Sequence, residues 1–257
     1  MTKGPASLAL LALGGIPLVA EGADLAEITL SALEHSGEHL ADGDVVAIAQ
    51  KIVSKAEGRL VDLASVVASA QAIDIGGQVD KDPRLIELIL GESQEVMRLR
   101  KGAIIVRHRL GLVLANAGID QSNIDHHGNA SALLLPVDPD ASARRIRDSI
   151  AARSGARVAV LIIDSLGRAW RMGTTGTAIG IAGMPGLLDL RGRRDLHGRS
   201  LETSELGLAD EVAAAASLIM GQANEGRPIV LVRGLGYQQR DGSAAELIRP
   251  RHMDLFP

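Results

Sequence analysis

Six consecutive apolar residues, Val158-Ala159-Val160-Leu161-Ile162-Ile163, run without a break into Asp164. A half-buried strand alternates apolar with polar side chains, so an unbroken run predicts a strand covered on both faces. Such a strand requires layers of structure around a central sheet, with a carboxylate delivered where the strand leaves the core. Shorter apolar runs at residues 45–49, 132–135 and 228–232 predict further buried strands. Residues 103–106 and 112–114 read as a strand pair joined through Arg107, His108, Arg109, Leu110 and Gly111. Apolar spacing predicts helices over 24–40, 64–73, 83–100 and 141–152, the fourth with Arg144, Arg145 and Arg147 on its wetter side. The longest helical pattern starts at Ser204, carries Glu205 and Glu211 in its first half and stops near Gly221. No internal repeat or low-complexity linker divides the chain, which is read as one unit over residues 1–257.

Lys3 followed by the apolar stretches 6–13 and 16–20 has the outline of a signal sequence. Gly14, Gly15 and Pro17 interrupt it, and it falls short of the roughly 20 residues a membrane helix needs. It is read as an amino-terminal strand, and the expected location is the cytoplasm, with no membrane partner.

Composition removes several functions. A formal net charge of -4 withholds the broad attraction on which non-specific nucleic-acid binding depends, so no nucleic-acid partner is expected. One Phe, one Tyr and one Trp leave almost no material for base-stacking platforms. Without cysteine there are no disulfides, thiolate metal sites or sulfur nucleophiles.

Familiar catalytic signatures are missing as well. There is no G-x-x-x-x-G-K-[ST] cradle; Gly176, Gly180 and Gly183 are misspaced for a dinucleotide loop; neither G-x-S-x-G nor H-E-x-x-H occurs. His35-Ser36-Gly37-Glu38-His39 fits H-x-x-E-H, but Gly37 weakens the helix this motif needs, and it reads as a solvated helix end. His108, His197, His252 and the tandem His126-His127 show no ligand spacing, and the Asn129-Ala130-Ser131 sequon carries no weight without a leader.

What remains is a set of polar clusters, each placed just after an apolar strand, which is where sheets with covered faces hold ligands. Gly118-Ile119-Asp120-Gln121-Ser122-Asn123-Ile124-Asp125 sets an acid and an amide three apart, and Asp164-Ser165 joins an acid to a hydroxyl. Asp120, Asp164 and Ser165 together would suit a hard divalent cation, whereas an Asp after a strand, taken alone, reads first as an Asx turn or helix cap. Gly167-Arg168-Ala169-Trp170-Arg171 followed by Gly173-Thr174-Thr175-Gly176 reads either as an anion site or as a Gly-rich connection.

Gly15-Ile16-Pro17, Asp42-Gly43-Asp44-Val45-Val46, Val53-Ser54-Lys55-Ala56-Glu57-Gly58-Arg59, the Asp120 cluster, Asp164 through Arg171, Ala209-Asp210-Glu211, Val232-Arg233-Gly234 and Leu247-Ile248-Arg249-Pro250 occur in this order. In that order they resemble the coenzyme F-420:L-glutamate ligase family, the F-420-0:γ-glutamyl ligases, in its stand-alone form without a carboxy-terminal flavin-binding domain. The resemblance implies an α+β fold of mixed sheets with flanking helices and two intertwined subdomains, assembled as a homodimer. It also implies an acid–amino-acid ligase that uses GTP to add L-glutamate to the lactyl carboxylate of the deazaflavin precursor F-420-0, then further γ-linked glutamates, through an acyl phosphate. Two Mn2+ or Mg2+ ions, with K+ as a further cation, belong to the same expectation.

By similarity, Asp120 and Asp164 match metal-binding acids, Ser165 stands where many members have a metal-binding Thr, and Gln222 matches a metal-linked Gln. Lys55 joins Asp120 and Asp164 in the catalytic set. Ile16, Pro17, Leu18, Val19, Lys55 and Asn123 match nucleotide-contacting positions, as do Met220, Gly221, Gln222, Ala223, Asn224, Glu225, Gly226 and Arg227. Gln50 replaces a hydroxyl expected near the nucleotide. Two alternatives stand beside this: a ligase of the same fold acting on another carboxylate, and a non-enzymatic nucleotide-binding module.

Overall fold

A computed structural model describes residues 6–124 and 130–254, so Lys3, Asp125, His126, His127 and Asn129 lie outside the described residues. In chain order the elements are β1 (Ala9–Ala12), α1 (Leu25–His35), β2 (Val45–Ala49), α2 (Gln50–Ala56), β3 (Leu60–Asp62), α3 (Ala70–Val79), α4 (Pro83–Gly91), β4 (Ser93–Arg100) and β5 (Ala103–His108). They continue with β6 (Val113–Ala115), β7 (Ser131–Leu133), α5 (Pro139–Ser154), β8 (Ala159–Arg168), β9 (Arg171–Ala182), β10 (Leu188–Asp189), β11 (Glu205–Leu206), α6 (Leu208–Met220) and β12 (Ile229–Arg233). Helices and mixed sheets together make an α+β fold.

The apolar run ending at Asp164 is an inner strand of a five-stranded sheet ordered β1-β12-β2-β8-β9. Only β2 and β8 are parallel neighbours in it; the other pairings are antiparallel. The strand is covered twice, as an unbroken apolar run demands. Val160 and Ile162 face a core shared with Leu25 and Leu33 of α1 and Ile146 and Ile150 of α5, while Ala159, Leu161 and Ile163 face α6 through Val212, Ala213 and Ala216. Each large aliphatic side chain buried there contributes about 1.5–3 kcal/mol. A third core joins α3, α4 and β5 through Ile75, Ile86, Ile89 and Ile104. The amino-terminal strand is present as β1, antiparallel to β12.

Several expectations are corrected. The helix over 83–100 stops at Gly91, and 93–100 is β4, paired with β5. A register shift between Val96 and Arg98 turns Val96 and Leu99 to the same core, and that spacing of three imitates a helix. The helix over 64–73 begins at Ala70, where the Ser69 hydroxyl caps Ala72 N at 3.2 Å, and runs on to Val79. Glu205 lies in β11 rather than in a helix, so α5, with 16 residues, exceeds α6, with 13. β9 was hidden by its glycines. A side chain at Gly180 would meet the Pro139 carbonyl oxygen at 2.5 Å, so that glycine marks close approach of α5 and not a loop.

Glu92, at the end of α4, ties two parts of the fold together. Its carboxylate accepts from Arg59 Nη2 at 2.8 Å and Arg109 Nε at 3.0 Å and faces the buried His108 Nε2 at 3.5 Å. Burial pushes this carboxyl up, but His108 and the two guanidiniums outweigh it and hold it at about 2. Among the described residues no helix is long and apolar enough to cross a membrane.

Candidate active site

β2 and β8 run side by side and leave the core together, at Ala49 and Ile163. α2 starts at the next residue after β2, which puts Gln50 and Lys51 at the sheet's edge and Ser54 and Lys55 one turn later on the same face. Across from them Asp164 and Ser165 continue β8. Here the structure departs from the sequence reading, because β8 does not end at Asp164 but extends to Arg168 and folds back into β9. Asp120 is fixed by two backbone hydrogen bonds with Leu133, at 3.0 and 2.8 Å.

These segments converge. Gln50 Nε2 donates to Asp120 Oδ2 at 2.8 Å, and the Lys51 ammonium pairs with the same oxygen. Ser54 Oγ donates to Gln50 Oε1 at 2.9 Å. Asn123, at φ 56°, offers its carbonyl to Lys55 Nζ at 2.7 Å and its amide to the Ala223 carbonyl at 3.0 Å. Ser165 Oγ donates to Gln222 Oε1 at 2.6 Å. The loop that carries Gln222 leaves α6 through Gly221, at φ 81°, and is braced by Glu225, whose carboxylate accepts from Ala223 N at 2.8 Å.

Charge is unbalanced in a telling way. Burial, with the neighbouring Asp120 carboxylate second, pushes the Asp164 carboxyl up to about 6, against the Ser165 N–H, Lys51 and Gln50, which pull it down. Lys55 is held below its ordinary value by burial and by Lys51. Two close carboxylates of which one is reluctant to ionise invite a cation. Among the described residues no group of three or more His, Cys, Asp and Glu gathers at a point that would hold a metal. Any donor set here is therefore two carboxylates completed by neutral oxygens, Ser165 Oγ and Gln222 Oε1, which fits Mg2+ or Mn2+ and not a softer ion.

The other expected residues distribute unevenly. Ile16, Pro17, Leu18 and Val19 lie in the segment after β1; Ile16 and Val19 pack on the core, Leu18 is exposed, and Gly22 N donates to the Ala56 carbonyl at 2.9 Å, which lays the segment across the end of α2 near Lys55. Met220, Gly221, Gln222, Ala223, Asn224, Glu225, Gly226 and Arg227 form the end of α6 and the loop against Ser165 and Asn123. Arg168 and Arg171 pair at the exposed tip of the β8–β9 hairpin, about 10 Å beyond Ser165 at ~3.3 Å per residue, so they are not drawn into the acid cluster. The segment 173–176, read as part of an anion site or a Gly-rich connection, belongs to β9 and pairs with β8. His35 ends α1 while Glu38 and the His39 carbonyl hold Arg233, so the H-x-x-E-H residues do not share a helix face.

Lys51 and Ser54 belong to the cluster and were missed. Their signal was the four-residue spacing of Lys51 from Lys55 and of Gln50 from Ser54, just past a buried strand. Other residues of the motifs serve the frame: Asp44 is buried and takes Arg233 Nη2 at 2.8 Å, Arg59 Nε donates to the Leu135 carbonyl at 2.9 Å, and Asp210 accepts from Ala178 N at 2.9 Å.

The fold and the cluster define the class as an α+β protein with two acids, two lysines, a hydroxyl and a backbone-rich loop gathered at the ends of parallel strands, where such sheets hold ligands. Comparison with known proteins narrows the class. The profile described as F420-0:Gamma-glutamyl ligase matches residues 15–234. The chain is 47% identical over 251 residues to the Coenzyme F420:L-glutamate ligase of Methanothermobacter thermautotrophicus, covering 97% of this chain and 98% of that one. The corresponding proteins of Methanopyrus kandleri, 42% identical with 93% of each chain covered, and Methanocaldococcus jannaschii, 41% identical with 84% of this chain and 85% of that one covered, are also similar. The chain belongs to the F420-0:γ-glutamyl ligase family.

Proposed function

We propose that the chain joins L-glutamate to the lactyl carboxylate of the deazaflavin precursor F-420-0, and then extends the tail through γ-linkages, with GTP as the phosphoryl donor. Family membership supports the glutamate ligation. The observation that supports phosphoryl chemistry is the crowding of Asp120 and Asp164 beside Lys51, with Lys55 on the neighbouring Asn123 carbonyl and Ser165 and Gln222 close by.

An amide does not form spontaneously from a carboxylate and an amine in water, so the carboxylate must first gain a leaving group. A carboxylate oxygen attacks the γ-phosphorus of GTP, the bond to the β-phosphate oxygen breaks, and GDP departs. The glutamate amine then attacks the acyl carbon, expels phosphate and releases its proton. Phosphoryl transfer asks a protein mainly for positioning and charge neutralisation. Lys55 lies at the cluster's edge as a cation held below its ordinary value, and Lys51 supplies a second positive charge as it releases Asp120. Asp120, Asp164, Ser165 and Gln222 would hold the divalent ions, which neutralise the phosphates when bound.

Mass spectrometry of the precursor after incubation with the protein, GTP, a manganese salt and L-glutamate tests the reading. Mass gains in steps of one glutamyl unit, lost when GTP is left out, are expected. Metal-dependent GTP hydrolysis with an unchanged precursor would assign the same chemistry to another carboxylate; metal-independent nucleotide binding without phosphate release would make the chain a binding module.

A further inference from the structure

Gln50 is placed by similarity where a nucleotide contact is expected, yet its surroundings give it a different task. Its side chain is 1% exposed, and both ends of the amide are engaged within the protein. Oε1 accepts from the Ser54 hydroxyl at 2.9 Å, and Nε2 donates to Asp120 Oδ2 at 2.8 Å. Ser54 is itself fully buried, one turn further along α2. These two hydrogen bonds settle which end of the amide is oxygen and which is nitrogen, because the acceptor end must face the hydroxyl and the donor end the carboxylate. The amide thus holds the Asp120 carboxylate while α2 fixes it in place.

We propose that Gln50, locked by Ser54, is a positioning residue that sets the orientation of Asp120 for a divalent cation held with Asp164, and does not contact the nucleotide. This rests on the metal reading of the site given above. The physical reason is the usual one for hard cations. Their carboxylate ligands must be held at a fixed angle by outer groups, and loss of such a group typically weakens metal binding by about 10–100-fold. A neutral amide suits the task because it orients a carboxylate without cancelling the negative charge that attracts the cation. Lys51, on the same Asp120 oxygen, is a long and mobile side chain that a cation can displace; Gln50, buried on all sides, stays.

Mn2+ titration of the nucleotide-free protein, followed by the loss of the free-ion electron paramagnetic resonance signal, is the test, together with GTP KM at saturating Mn2+. Gln50→Ala is expected to weaken Mn2+ binding by about tenfold or more. Ser54→Ala keeps Gln50 but frees its lock, so a smaller loss of about threefold is expected from this variant, which also guards against a failure of Gln50→Ala to fold. In both, GTP KM at saturating Mn2+ should stay within about twofold of the parent. Unchanged Mn2+ affinity in both variants, or intact Mn2+ affinity with a raised GTP KM, would overturn the positioning role while leaving the metal reading in place. Failure of the parent protein to bind Mn2+ at all would overturn the metal reading and this proposal with it.

Discussion

Asp164→Asn is expected to abolish glutamate transfer, by on the order of 10³-fold or more, and at the same time to make the metal-free protein more stable at pH 8. The two effects have one cause. Burial and the Asp120 charge push Asp164 from 3.8 up to about 6, so the folded chain holds this proton more tightly than the unfolded chain does. A group with a raised carboxyl value imposes no penalty below about pH 4; the penalty builds between about pH 4 and 6, where the unfolded chain has lost the proton and the folded chain keeps it, and is complete above about 6. The residue as a whole is half-buried, at the point where β8 leaves the core, and the penalty is discounted for solvent screening to about 1–2 kcal/mol. Asparagine removes it while keeping an oxygen for the Ser165 N–H, which donates to Asp164 Oδ1 at 2.8 Å. Thermal unfolding without metal should show the variant about 2–6 °C above the parent at pH 8 and level with it near pH 4. Saturating Mn2+ should reverse the order, because the parent then gains the binding energy of the ion. Undiminished turnover in the variant would remove Asp164 from the chemistry; a less stable variant at pH 8 would remove the electrostatic account.

Gly176→Ala is expected to damage both the fold and the site although Gly176 touches no ligand. A Cβ there would meet the Ala213 carbonyl oxygen at 2.3 Å and Ser217 Cβ at 2.8 Å, so α6 would have to move. Overpacking of this kind costs about 1–3 kcal/mol, and more where backbone is struck. Gly176 pairs with Ser165 across the hairpin, and α6 leads directly into the loop whose Gln222 accepts from Ser165. A displaced helix therefore carries Gln222 away from the acids, and Mn2+ affinity should fall along with the melting temperature. Gly167→Ala, on the same hairpin with nothing within 4 Å of the added carbon, should leave both near the parent values. Equal behaviour of the two variants would show that the close approach of α6 to β9 does not govern the site.

Much of this was legible from residue order. The unbroken run into Asp164 announced a doubly covered strand because alternation is the only alternative for a half-buried one, and the polar clusters after strands marked one edge of the sheet. The path of the chain after Asp164 was not legible: Gly176 and Gly180 look like loop residues, and their strand role depends on how near α6 and α5 come, which sequence spacing does not encode. β4 was lost to a bulge that imitates helical spacing. At the cluster, residue spacing singled out Asp120, Asn123, Asp164 and Ser165 and the family resemblance added Gln222; the structure brings them together and adds which oxygen meets which donor. Lys51 and the Ser54–Gln50 pair needed the helix that begins at Gln50, since only a helix brings residues four apart onto one face.

The central claim is that this cluster activates a carboxylate by phosphoryl transfer, and an isotope label tests it most directly. The precursor is prepared with both oxygens of its lactyl carboxylate as oxygen-18 and turned over with GTP, manganese and L-glutamate. If the carboxylate oxygen attacks the γ-phosphorus, each phosphate released in forming the first amide carries one oxygen-18 and the amide carbonyl keeps the other. Phosphate free of label, with glutamate nonetheless joined to the precursor, would contradict the acyl-phosphate route.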